Sequence, residues 1–197
     1  MHHGYQRARA VRRRLAPGPP ERVTAWLDAG MDVYEESGLT KAVWSDADFE
    51  QLGWHDVTVH AMYVQRTDDV LPRLLFDLDY ITRWVHPVPP ETHFSFWIAP
   101  STLVFDDVWD LQGDLDFRGL GVDLEIDALH RLTPEDDRPG WSDTPLWHLE
   151  GHAFDLRFRA PGFRQYIRQP PRLSPRLVLG HAERDGCSFA ETAFEFE

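Results

Sequence analysis

Apolar and polar positions alternate along this chain with a period of two, and the pattern returns several times. In one run Leu74, Phe76, Leu78 and Tyr80 fall on one side, with Leu75, Asp77 and Asp79 on the other. Val122, Leu124 and Ile126 alternate with Asp123, Glu125 and Asp127, and Phe154, Leu156 and Phe158 with Asp155, Arg157 and Arg159. Such a period gives strands with one buried face and one wet face. It predicts strands over His55–Val64, Arg73–Tyr80, His93–Ala99, Thr102–Val108, Leu111–Phe117 and Gly121–Arg131. Trp147–Arg159 reads as a long strand or a hairpin bent near Gly151, followed by Phe163–Arg168 and an edge strand over Phe189–Phe196. In the first strand Val57, Val59, Ala61 and Tyr63 share one face and Asp56, Thr58 and His60 the other.

Helical signals are short. Val23, Trp26 and Leu27 have helical spacing, and Ser45 with Asp48 three residues on has the form of a capping box opening one or two turns that end near Gly53. Pro87, Pro89 and Pro90 cannot donate to a ladder and mark a connection, as Pro161-Gly162 marks a turn. The pattern predicts a mainly β fold: an antiparallel β-sandwich or partly open barrel of seven to nine strands with one or two short helices.

Four stretches occur in a recognisable order: Trp54-His55-Asp56; Leu78-Asp79-Tyr80-Ile81 with Trp84; Ala99-Pro100-Ser101-Thr102-Leu103 with Phe105, Asp107 and Val108; and Ala160-Pro161-Gly162-Phe163. This series, over residues 44–178, resembles a group of small bacterial proteins with the patterns W-H-D, L-D-Y-I-x-x-W, A-P-x-T-L-x-F-x-D-V and A-x-G-F. The group has no established activity. The resemblance therefore implies a β-rich domain and assigns no residue a role.

Composition changes the picture at the N-terminus. Residues 1–23 hold six Arg against one Glu, a net charge of +5, so the rest of the chain carries −18 of a total of −13. Together with Pro17, Pro19 and Pro20, this predicts a flexible Arg/Pro-rich arm over residues 1–30 and a single β-rich domain over 31–197. So acidic a body repels a phosphate backbone, which excludes nucleic acid as its partner and favours a basic protein. No apolar run approaches the roughly 20 residues of a membrane helix, and no secretory h-region follows the basic N-terminus. The single cysteine, Cys187, allows no internal disulfide, so the expected setting is the cytoplasm, and the Arg-rich composition suggests a bacterial source.

Candidate chemistry is confined to His and Asp. His55, Asp56 and His60, joined across a strand pair by Asp77 and Asp79, form a set that suits a divalent metal. Asp106 and Asp107 add carboxylates, and Trp84, Trp97 and Trp109 are candidates to line a cleft beside them. His148, Glu150 and His152 would point the same way from one strand. No nucleotide-binding glycine loop, nucleophile elbow or paired Cys motif is present. The expected function is a non-enzymatic binding domain of the immunity or accessory type, recognising a basic protein through an acidic aromatic face. No cofactor is predicted. The alternative is a metal-assisted hydrolase using the His/Asp set, and a third reading is a small-ligand site in a barrel mouth.

Overall fold

A computed structural model describes residues 33–66, 68, 71–118, 124–133 and 143–195. The arm expected over residues 1–30 lies outside them, as do most of the turn at 67–69 and of the acidic loop at 133–145. A short helix, α1 (Val33–Ser37), precedes β1 (Val43–Ser45) and a 3-10 helix (Asp46–Gln51). Then follow β2 (Val57–Gln65), β3 (Arg73–Val85), β4 (Ser95–Phe105), β5 (Trp109–Leu115) and β6 (Glu125–Leu132). The described chain continues through β7 (Leu146–Gly151), β8 (Phe154–Arg159), β9 (Phe163–Ile167) and β10 (Arg172–Ser174). No helix among the described residues is long and apolar enough to cross a membrane.

The fold is mainly β, as the alternation predicts. All ten strands form one antiparallel sheet in the order β1-β9-β4-β3-β2-β6-β7-β8-β5, with β10 paired to β4 beside β9. The sheet is curled but not closed. Phe105 of β4 and Phe158 of β8 lie five strand positions apart in that order, about 24 Å on a flat sheet. Their ring centroids are 4.7 Å apart, so the sheet folds over onto itself. The concave face holds the main core, including Leu74, Phe76, Leu78, Leu103, Ile126, Trp147 and Leu149. Phe49 of the 3-10 helix plugs one end, touching Trp54, Trp147 and Phe163. The capping box at that helix forms: the Asp48 carboxylate accepts from the Ser45 backbone N–H at 3.0 Å and lies 3.4 Å from the Ser45 hydroxyl.

Four expectations change. First, the polar face of β3 is not wet: every residue from Leu74 to Ile81 is buried, Asp77 and Asp79 included. The C-terminal segment covers that face, with Leu179 packed on Ile81, Phe96 and Ile98. Second, β2 carries a bulge between Val59 and Ala61. Beyond it Met62 and Val64 oppose Phe76 and Leu74 and join the concave side, while Ala61 and Tyr63 oppose Asp77 and Leu75. Third, the strands expected on either side of Pro100 are one strand, β4. Pro100 sits where the second neighbour changes from β10 to β9, and its carbonyl accepts from Arg168 N–H on that side. Its missing N–H therefore breaks no bond to β3. Fourth, Phe189–Phe196 is not an edge strand. No strand runs through its described part, where Phe189 instead packs on Tyr63 and Phe194 N–H donates to Ile167.

The hairpin reading of residues 147–159 holds, with the bend at Gly151. A Cβ there would stand 2.5 Å from the Glu125 carbonyl and 2.6 Å from the Phe154 ring. The curl itself rests on aromatic contacts, since Phe105 meets Phe76, Trp147, Phe158 and Phe163. Phe105→Ala is expected to cost about 3–5 kcal/mol of unfolding free energy, read from urea denaturation.

Candidate functional site

His60 stands on the outer face of β2, as the alternation predicts, and meets Asp79 there. This part of the predicted His/Asp set does assemble, but with partners the alternation does not reveal. Asp77 and Asp79 are completely buried, as is the Arg184 side chain. Arg184 donates from Nη1 and Nη2 to the two oxygens of Asp77 at 2.8 and 2.6 Å, and from Nε to Asp79 at 3.1 Å. Arg168 donates to Asp77 as well. Backbone N–H groups of the C-terminal segment complete the set: Ser188 to Asp77 at 3.0 Å and Leu179 to Asp79 at 2.7 Å. His60 Nε2 lies 3.0 Å from Asp79 Oδ2, outside normal hydrogen-bond geometry.

The electrostatics follow from this packing. Burial pushes the Asp77 carboxyl up, but hydrogen bonds from Arg184 and Cys187 and the Arg168 charge outweigh it and hold it below the usual carboxylate range. Burial likewise raises Asp79, and His60, the Leu179 N–H and Arg184 bring it below that range. Every carboxylate oxygen already faces a donor, and no solvent reaches the pair. The cluster is a clasp that fastens the C-terminal segment to β3, with no opening for a substrate. Cys187 belongs to its edge. Desolvation and the Asp77 carboxylate push that thiol up, the opposite of what a nucleophilic cysteine needs.

The other candidates lie elsewhere. His55 is exposed, stacks on Trp84 at 6.4 Å, and has Nδ1 3.5 Å from its neighbour Asp56. Asp56 adopts a left-handed φ of 63° at the turn into β2, and its N–H donates to Ile126. Neither makes a contact of the clasp. Asp106 accepts from Arg73 and Arg164, both at 2.6 Å, and Arg73 also holds Glu191 at 2.6 Å, a second tie to the C-terminal segment. Asp107 is an exposed turn residue with φ 49°. The three tryptophans do not form one cleft. Trp84 pairs with Phe96 near one end of β4, while Trp109 follows the other end and carries the Arg159 guanidinium at 5.2 Å. His148 and Glu150 share the outer face of β7, whereas His152 sits in the hairpin turn with Asp127 at 3.1 Å.

An apolar cavity of about 240 Å³ lies in the mouth of the curled sheet, where the sequence allowed a site but did not name its lining. It is lined by Val59, Met62, Phe76, Leu115, Phe117, Leu124, Phe154 and Leu156. Met62, Leu115 and Phe117 form its rim, 38%, 50% and 51% exposed. Alternation in Leu111–Phe117 signals Leu115 and Phe117. Nothing signals Met62, which reaches the cavity only because of the bulge.

The clasp predicts two measurable effects. Arg184→Met leaves two buried carboxylates short of their main partner and is expected to cost about 3–5 kcal/mol in denaturant unfolding. Both carboxylates titrate below the unfolded-chain value of about 4. Their contribution is thus complete above that pH and is lost as pH falls towards their folded values. The urea midpoint is expected to drop below about pH 4, and less steeply in Arg184→Met.

No family model, curated protein or solved structure matches this chain, and the site is read from its geometry alone.

Proposed function

We propose that this chain is a non-enzymatic binding domain that seats one bulky apolar side chain of a basic partner protein in the mouth of its curled sheet. The observation that carries the reading is the cavity: eight apolar side chains surround it, and three of them stand half-exposed at its rim. Its volume points to the occupant. A cavity of about 150 Å³ holds benzene, and pockets for whole small molecules run from about 300 Å³ upward. About 240 Å³ suits a single Trp, Phe or Leu side chain inserted as an anchor.

Charge supports a basic partner. The body of the chain is strongly acidic, and Asp114 and Asp116 are the sequence neighbours of the rim residues Leu115 and Phe117. Such a surface speeds encounter with a cationic protein and rejects an anionic one. The hydrolase alternative needs His55, Asp56, His60, Asp77 and Asp79 to converge on a substrate, whereas His60, Asp77 and Asp79 are engaged in the clasp and His55 and Asp56 make no contact of it. Among the described residues, the side chains that line the cavity are all apolar.

The test uses N-phenyl-1-naphthylamine, a neutral fluorophore that brightens in apolar sites, and a short Lys-rich peptide with one Trp. The expected result is a saturable rise in emission with the full chain, reversed by the peptide. Leu115→Asp, at a half-exposed position, should weaken the fluorophore by about tenfold or more, roughly 1.4 kcal/mol, at an unchanged melting temperature. An unchanged affinity in Leu115→Asp overturns the cavity as the site. Displacement by a fatty acid but not by the peptide overturns the protein-partner reading in favour of a small-ligand site.

A further inference from the structure

We infer that the outer face of β6, β7 and β8 is a zinc-class metal site built from His130, His148 and Glu150, with Asp155 as the orienting carboxylate. The strand register brings these residues together. His130 and His148 are direct cross-strand partners, and their rings lie 5.6 Å apart. Glu150 follows two residues later on the same face of β7, opposite Ala128 of β6. The small Ala128 side chain leaves Glu150 room to lean diagonally, and its Oε2 lies 3.2 Å from His130 Nε2. One ligand atom from each of the three residues lies within 4.8 Å of the others. Tetrahedral zinc, with bonds of about 2.0–2.1 Å, needs them closer. The exposed ends of His130 and Glu150 are free to supply that movement.

Two further observations favour a cation here. His148, the buried member, is held through Nε2 by Asp155 Oδ2 at 2.8 Å. A carboxylate beside the imidazole orients the ring as it does for metal-ligating histidines. In addition, Glu150, Asp155 and Asp114 stand directly opposite one another across β7, β8 and β5. Like charges in such register repel, and a bound cation relieves the repulsion. Arg157 meets this need only in part, at 3.7 Å from Asp155. Two imidazoles with carboxylate suit zinc better than magnesium or calcium, which prefer oxygen alone. The site leaves a coordination position for water or for a ligand atom. It lies on the opposite face of the β7–β8 hairpin from the apolar cavity, because Phe154 and Leu156 point inward where Asp155 points out.

The test is calorimetric titration of the full chain with Zn²⁺, alongside Co²⁺ absorption, whose visible bands report four-coordinate geometry. His2 and His3 offer a competing pair of imidazoles, so His2→Gln/His3→Gln is the control background. In that background, the expected result is one saturable site that His130→Gln and Glu150→Gln each weaken by at least tenfold. Asp155→Asn should weaken it by about 10–100-fold while keeping four-coordinate Co²⁺ bands. The exposed ion pairs contribute only about 0–1 kcal/mol, so these variants should fold normally. Zinc affinity unchanged by His130→Gln and Glu150→Gln, or no saturable binding in the control background, overturns the site.

Discussion

The buried pairing of Arg184 with Asp77 and Asp79 is the constraint on which the outer half of this fold depends. The concave face is closed by a large aromatic and aliphatic core, but the convex face of β3 and β4 has a small one, Ile81, Phe96, Ile98 and Leu179. The segment that covers it is broken by Pro170, Pro171 and Pro175, and between Pro175 and Glu195 no strand is present. Its backbone N–H groups cannot be satisfied by a ladder. Two of them, on Leu179 and Ser188, are satisfied by the same carboxylates that Arg184 neutralises. Charge and backbone pairing are thus solved together. Removing one partner costs more than the intact pair contributes, because an uncompensated charge stays buried.

This arrangement also decides where function is located. Carboxylates engaged on every oxygen do not offer a lone pair to a metal or a proton to a substrate. Asp77 and Asp79 are therefore taken up by the clasp, and the open surfaces lie elsewhere. A single irregularity links the two roles. The bulge between Val59 and Ala61 leaves His60 outward, at the clasp, and turns Met62 inward, to the cavity. With a regular strand over these residues, His60 and Met62 would share a face.

Much of the fold was legible because local rules act over a few residues. The alternation in β3 and β8, the Gly151 bend and the Ser45/Asp48 capping box are all set by neighbours in sequence. The outer face of β3 was not legible, because its cover comes from residues about a hundred positions away and has no periodicity of its own. Aspartates alternating with leucines read as a solvated face until Arg184 is placed over them. Pro100 reads as a strand break in sequence because its harmlessness depends on which strand lies beside it. Within the candidate set, His60 and Asp79 share a face as the alternation implies, whereas Asp56, in the turn into β2, does not reach them. His130 was invisible as a partner of His148, since only the β6–β7 register makes them neighbours.

The β7–β8 hairpin shows how one element can serve two surfaces without conflict. With a period of two, Trp147, Leu149, Phe154, Leu156 and Phe158 belong to the core or the cavity. His148, Glu150, Asp155 and Arg157 belong to the outer face by the same rule. A polar change on the outer face leaves the inward packing intact, so the two surfaces can be altered independently. The hairpin is central in the sheet at β7, with neighbours on both edges, which keeps the cross-strand spacing of His130 and His148 fixed. A site on such a rigid element needs only side-chain motion to close around an ion. A site on a loop would also have to order its backbone, at about 1–2 kcal/mol per residue.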